Sequence, residues 1–131
     1  MPRQHLGGTW QKARAFSPAV VTKGGVTIWC AGHGATHDDD GKSLAGDFEA
    51  QVRQSFKNIE RTLAQAGAKL SDIVTMRVDI ADVRFGDIFV DMRKGYFPDG
   101  NFPASALLTV DGFAKPEMLV EITPVAVIGD E

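Results

Sequence analysis

From Ile73 to Ile80 the residues alternate, with Ile73, Thr75, Arg77 and Asp79 on one side and Val74, Met76, Val78 and Ile80 on the other. A period of two belongs to a β-strand with one buried face, and the opposite face here is polar and mixed in charge. An amphipathic helix stands on each side of this run. Before it, Phe48, Val52, Phe56, Ile59 and Leu63 recur at spacings of four and three, while Gln51, Arg53, Lys57, Glu60 and Arg61 fall elsewhere on the wheel. Asp47 is placed to cap that helix by accepting from exposed amides, and Gly67 to end it in a left-handed conformation. From Asp47 to Ala66 it would be about 30 Å long. After the strand, Phe85, Ile88, Phe89, Met92 and Tyr96 form a second stripe, with Asp82 as candidate cap and Pro98-Asp99-Gly100 as the terminating turn.

Upstream, the β-rich runs Ala19 to Lys23 and Val26 to Ala31 flank Gly24-Gly25, a pattern that predicts a hairpin. Downstream, FPASALLTV and LVEITPVAV, joined by DGFAKPEM, predict two more strands. The order β-β-α-β-α-β-β predicts an α/β (α+β) fold with a single mixed sheet. Right-handed crossovers put both helices on one face of it. The other face then needs cover, and in a chain of 131 residues the expected cover is another subunit. Residues 1–15 read as an N-terminal arm, 16–128 as one domain, and 129–131 as a tail.

Composition narrows the partners. A 44% hydrophobic content suits one core. With a net charge of -3 and no basic stripe, nucleic acid is not an expected partner. The single cysteine, Cys30, makes no internal disulfide and fits a reducing compartment, so a cytoplasmic protein is expected. No apolar run approaches the roughly 20 residues that cross a bilayer. MPRQHLGGTW lacks an apolar signal region, so a soluble chain without signal peptide or membrane partner is expected.

Glu121 is the one carboxylate inside the apolar run that ends the chain. From the residues alone, a strand-edge carboxylate paired with Arg or Lys and a functional carboxylate are equally open. Its protonation state is open too, since burial raises a carboxyl pKa and a nearby cation lowers it. His33, after Ala31-Gly32, is a candidate general acid or base, or else a loop histidine bonded to backbone. Cys30, beside Trp29 in a strand, reads as a small buried hydrophobe rather than a nucleophile. Thr36 to Asp47, containing His37-Asp38-Asp39-Asp40, echoes a calcium loop and fails at both ends, with Thr36 for the first Asp and Asp47 for the last Glu. It reads as a solvated acidic loop, and no metal site is expected. Gly32-x-Gly34 is too short to suggest a phosphate cradle.

The hairpin FSPAVVTKGGVTIWCAG, the loop ending in GD, the helix QVRQSFKNIERTLAQAGAKLSDIV and the ending FPAS…LVEITPVAV carry a resemblance. From about Phe16 to Val127 the chain resembles the Rid family, the reactive intermediate deaminases also called the YjgF or liver perchloric-acid-soluble-protein family. The resemblance implies a chorismate-mutase-like fold and a homotrimer with three clefts between subunits. It also implies cofactor-free hydrolysis of enamines and imines, such as 2-aminoacrylate, to keto acids and ammonia. Some relatives have been described as ribonucleases or aminomuconate deaminases.

Carried over residue by residue, the resemblance makes Glu121 the catalytic group that positions or activates water. Phe16 stands in place of the family's early tyrosine and lacks its hydroxyl, and Ala31-Gly32 stands in place of a Ser-Gly pair, followed by His33. The family's Arg-Ser-Cys or Arg-Ser-Thr after FPA is Ser105-Ala106-Leu107 here, so the arginine that clamps the substrate carboxylate is absent. Arg14, Arg77 and Arg93 are candidate replacements. The reading is a small-molecule enamine or imine deaminase without cofactor, binding substrate through Ser105, Ala106, Leu107, Gly32, Ala31, Phe16 and His33. A non-catalytic ligand-binding trimer and a ribonuclease are the alternatives.

Overall fold

A computed structural model describes residues 3–131. The strands are β1 (Gln4–His5), β2 (Val20–Val21), β3 (Val26–Trp29), β4 (Ile73–Ile80), β5 (Ala104–Thr109) and β6 (Val120–Ile128), and the helices are α1 (Phe48–Ala64) and α2 (Gly86–Tyr96). The main sheet has the order β3-β6-β4-β5. β6 runs antiparallel to both β3 and β4, with Trp29 opposite Val125 and Glu121 opposite Asp79. β4 and β5 are parallel, Met76 opposite Ser105, so α2 forms the crossover that a parallel pair requires. This is the expected mixed α+β fold.

The helix signals act as read. The Asp47 carboxylate accepts from the Ala50 amide at 3.0 Å and closes one of the orphan donors of α1. Asp82 accepts from the Arg84 amide at 2.9 Å, capping a short 3-10 turn, Val83–Phe85, that leads into α2. Val52, Phe56, Ile59 and Leu63 of α1 meet Phe89 and Val90 of α2 over Met76, Val78, Ile80, Val120 and Ile122, all within one buried core. Phe56 is fully buried, with its ring stacked 3.9 Å from Tyr96.

One expectation needs correction, and the arm makes contacts of its own. The strands around Gly24-Gly25 do not pair with each other: β2 pairs with β1 from the arm, and β3 pairs with β6. Both glycines have positive φ, 71° and 81°, but Gly25 serves a close approach, since a Cβ there would lie 2.5 Å from the Ile128 carbonyl oxygen. The nine-residue β6 offers β3 a longer ladder than two-residue β2 could. The arm is also knit onto the domain. The Arg3 guanidinium donates to the Asp130 carboxylate and to the Val127 and Ser71 carbonyls, and Ala15 is fully buried. The first two residues of the expected arm lie outside the described residues.

The face of the sheet away from the helices is uncovered in the single chain. By the strand alternation it carries Trp29, Val125, Thr123, Glu121, Thr75, Arg77, Asp79, Ala106 and Leu108. Trp29 is 80% exposed there, and Leu108 41%.

Candidate functional site

Ser105 and Leu107 lie on the helix side of β5, in register with Met76 and Val78. With Trp10, Arg14, Phe16, Val90 and Arg93 they line a cavity of about 250 Å³. The chain reaches this cavity from the arm through Ala15, which is held at φ 62°, a left-handed conformation costing an alanine about 1–2 kcal/mol. Ser17 then fastens the segment to the start of β5: its amide donates to the Pro103 carbonyl at 3.0 Å and its hydroxyl to the Phe102 carbonyl at 2.7 Å. Trp10 packs edge-on against Phe16 with 5.5 Å between ring centroids.

Arg93 projects from α2 into the same wall. It is fully buried at 1% exposure. Nη1 donates to Ser105 Oγ at 2.7 Å and Nη2 to the Arg14 carbonyl at 3.2 Å, while Nε has no partner. The guanidinium carbon sits 5.1 Å from the Phe89 ring centroid. Among the described residues no carboxylate pairs with it. Burial first, and the Arg14 charge second, lower its pKa to about 10, which leaves it charged at neutral pH.

Glu121 lies on the other side of the sheet. It is half-buried, and among the described residues it forms no ion pair or side-chain hydrogen bond. Gly32 is what makes room for it: a Cβ at Gly32 would fall 2.4 Å from Glu121 Oε1. Asp79, opposite Glu121 across the ladder, takes both of its short contacts from Arg77 Nε, at 3.0 and 3.1 Å. Ala31 is exposed beside Gly32. His33 is occupied on both ring nitrogens, by the Ala31 carbonyl at 2.7 Å and Thr62 Oγ1 at 2.8 Å. Its backbone exchanges two hydrogen bonds with Ile122, which holds the Gly32 segment against β6.

The sequence profile of the family described as Endoribonuclease L-PSP matches residues 9–128. The chain belongs to this family, the Rid or YjgF proteins. Among similar Rid proteins, the rat 2-iminobutanoate/2-iminopropanoate deaminase is 30% identical over 115 residues, covering 88% of this chain and 81% of the rat protein. A RutC family protein of Pyrococcus abyssi is 28% identical over 111 residues, covering 85% of this chain and 84% of that one. In three dimensions, the Rid-family protein YyfB of Yersinia pestis, of unknown function, superposes with a TM-score of 0.85 at 24% identity, covering 98% of this chain and all of the other. That likeness carries the fold alone. A YjgF-family protein of Mycobacterium tuberculosis gives a TM-score of 0.67 at 26% identity, covering 97% of this chain and 100% of the other.

Within this Rid chain the expected site residues therefore fall into two groups. Phe16, Ser105 and Leu107 meet around the cavity, whereas Ala31, Gly32 and Glu121 sit across the sheet, and none of these three lines that cavity. Ala106 points to the open face with Glu121. As the edge strand, β5 keeps one of the Ala106 and Leu107 amides directed away from β4. Of the candidate cations, Arg77 is tied to Asp79 on the open face, Arg14 lines the cavity but pairs with Asp87 at 2.6 Å, and Arg93 donates to Ser105. Trp10 and Val90 were not legible as site residues. The signal for Arg93 was its place four residues after Phe89, on the buried stripe of α2.

The remaining chemistry-bearing groups are used structurally. Asp39 bonds Arg61 and Gln54, which holds its carboxyl well below the usual range, and Asp38 Oδ1 accepts the Asp40 and Lys42 amides. The Cys30 thiol is pushed up by burial at the edge of the core, against nucleophilic use. A larger groove of about 540 Å³ runs past Arg3, His5, Ser71 and Tyr96 and holds none of the expected residues. Among the described residues no helix is long and apolar enough to cross a membrane.

Proposed function

We propose that this Rid protein is a cofactor-independent deaminase that hydrolyses a small enamine or imine in a cleft between subunits of a homotrimer. The observation that carries the reading is the division of the site. Glu121 and Gly32 stand on an open sheet face, and Phe16, Ser105 and Leu107 stand at the edge strand on the other side. One copy does not bring these groups together, and the reading assigns them to two copies that meet at the cleft. The exposed Trp29 and Leu108 supply the apolar area for such a contact. The imine deaminase relatives, similar over nearly the whole chain, support the reaction class.

In this scheme Glu121 orients a water and takes one of its protons as the oxygen adds to the imine carbon. The C=N electron pair moves to nitrogen, which takes up the proton that Glu121 accepted. The resulting carbinolamine loses ammonia as the C–N bond breaks and the carbonyl forms. An enamine enters the same path after protonation at carbon. The outward amide of the Ala106-Leu107 edge polarises the substrate. A positioned general base contributes about 10²–10⁴-fold.

A panel of enamines and imines, with and without a carboxylate, assayed for ammonia release tests this. Wild type is expected to turn over at least one, and Glu121→Ala to lose about 10²-fold or more with assembly intact. No turnover by assembled wild type on any of them, with saturable binding retained, would make the chain a ligand-binding trimer instead. RNA cleavage is disfavoured by the net charge of -3.

A further inference from the structure

Helix α1 carries a polar stripe that the core does not use. Gln54, Asn58 and Thr62 stand four residues apart on one face of it. Asn58 Nδ2 donates to the Gly34 carbonyl at 3.2 Å, and Thr62 Oγ1 meets His33 Nε2 at 2.8 Å. Gln54, itself buried, donates to Asn58 Oδ1 at 3.0 Å and so keeps that amide turned toward Gly34. The His33 ring spans the remaining gap. Its Nδ1 lies 2.7 Å from the Ala31 carbonyl, an oxygen that only accepts, so Nδ1 carries the proton and Nε2 of the neutral ring accepts from the Thr62 hydroxyl. One planar side chain thus ties the end of β3 to α1, while the His33 backbone ties the same segment to Ile122 of β6.

What this fastening holds is the Ala31-Gly32 peptide. With the Ala31 carbonyl turned to the ring, the trans peptide plane turns the Gly32 amide the opposite way, and among the described residues that amide has no hydrogen-bond partner. The Glu121 carboxylate rests on this glycine, since a Cβ there would lie 2.6 Å from Glu121 Cδ. Ala31 and Gly32 are both exposed, and glycine has more backbone freedom to lose than any other residue. Left unfastened, the surface under the carboxylate would move. We propose that His33 is a positioning residue for Glu121: with Thr62 and Asn58 it fixes the peptide against which the carboxylate is set, and it moves no proton itself. A ring engaged at both nitrogens has no free edge to offer a substrate. The stripe on α1 thereby acts, through the end of β3, on a group at the opposite face of the sheet.

This assignment rests on the reading of Glu121 as the water-handling group, and its deciding readout is local order rather than turnover, so that the two fail separately. NMR of isotopically labelled protein is recorded on assembled wild type, His33→Ala, His33→Asn and Thr62→Val, and ammonia release is measured on the panel above. The wild-type His33 ring is expected to carry its proton on Nδ1, and the Gly32 amide to be rigid, with an order parameter of about 0.85. His33→Ala should let that order parameter fall below about 0.6. It should also lower kcat by about tenfold or more with KM little changed, the scale of a small misplacement of a catalytic group. His33→Asn keeps an amide donor beside the Ala31 carbonyl and should recover both, although it cannot transfer a proton. Thr62→Val, which loses only the far bond, should show a smaller loss of each and serves if His33→Ala does not fold. In Glu121→Ala, adding His33→Ala should cost nothing further, because its effect passes through that carboxylate. A neutral wild-type ring protonated on Nε2 alone overturns the proposal, as does a further loss in that double variant. So does a Gly32 amide equally rigid in His33→Ala, or a His33→Asn protein with rigid Gly32 and only the activity of His33→Ala, which would make the ring a proton carrier. A wild type that releases no ammonia, with Gly32 order still dependent on His33, would count against the deaminase reading and uphold the positioning.

Discussion

The two faces of the sheet treat charge in opposite ways. On the open face Arg77 and Asp79 lie two residues apart on one strand and satisfy each other through a side-on ion pair, and Glu121 next to them is left free. On the covered face Arg93 is buried beside the Phe89 ring and the Ser105 hydroxyl, and among the described residues no carboxylate pairs with it. Water reaches the Arg77 end of the first arrangement, while the buried Asp79 is compensated by its partner. It cannot solvate the second, so the Arg93 charge is costly to bury and rests on the Ser105 hydroxyl, the Arg14 carbonyl and the Phe89 ring. The comparison teaches that the covered face holds the buried core that stabilises the chain, while the open face keeps charged and aromatic groups within reach of solvent.

Three experiments break or sharpen this contrast. The largest expected effect is on the covered face. Phe56→Ala, which removes a fully buried ring stacked on Tyr96, should cost about 3–5 kcal/mol of unfolding free energy, read by urea denaturation. A loss below about 1 kcal/mol would mean that the core does not carry the fold. On the open face, Trp29→Lys removes an 80% exposed ring and should leave the cooperativity of unfolding intact. It should lower the solution mass toward the 14.1 kDa of one chain. A wild-type mass in that variant, or a wild type that is itself a monomer, would sink the shared cleft.

The smallest effect is expected outside both faces. The Asp82 carboxyl is held at about 2, first by the Arg84 side chain and then by its amide, against an ordinary value of 3.8. A depressed carboxyl contributes stability that is present above its unfolded pKa and is lost as pH falls through the folded one. The Tm gap between wild type and Asp82→Asn should therefore be full at about pH 5 and should close near pH 2. Because the pair is solvent-exposed, the gap should be small at every pH and weaker in high salt. A gap that widens on acidification would reverse the assignment.

Much of this was legible in the residues. The alternation from Ile73 to Ile80 delimits β4, and the 3.6-residue stripe with Asp47 before it delimits α1, because both depend on neighbours along the chain. The Gly24-Gly25 signal misled for the same reason. Two glycines reverse a chain, yet which strand accepts the hydrogen bonds is settled by the ladder available, and β6 and the arm took them. Glu121 was legible as unusual, but its lack of an ion partner was not, since pairing across strands joins residues far apart in sequence.

By itself, the sequence determined the two helices, the strands of the main sheet and their order, and the serine at position 105. Those follow from local periodicity, capping chemistry and residue identity. Only the tertiary structure decided which of three arginines stands behind Ser105, and that Glu121 and Ser105 lie on opposite sides of one sheet. The physical reason is that burial of a charge and the facing of a strand are properties of packing. Arg93 is costly because Phe89 and the core enclose it, and no pattern along α2 states what will surround a side chain once the crossover is made.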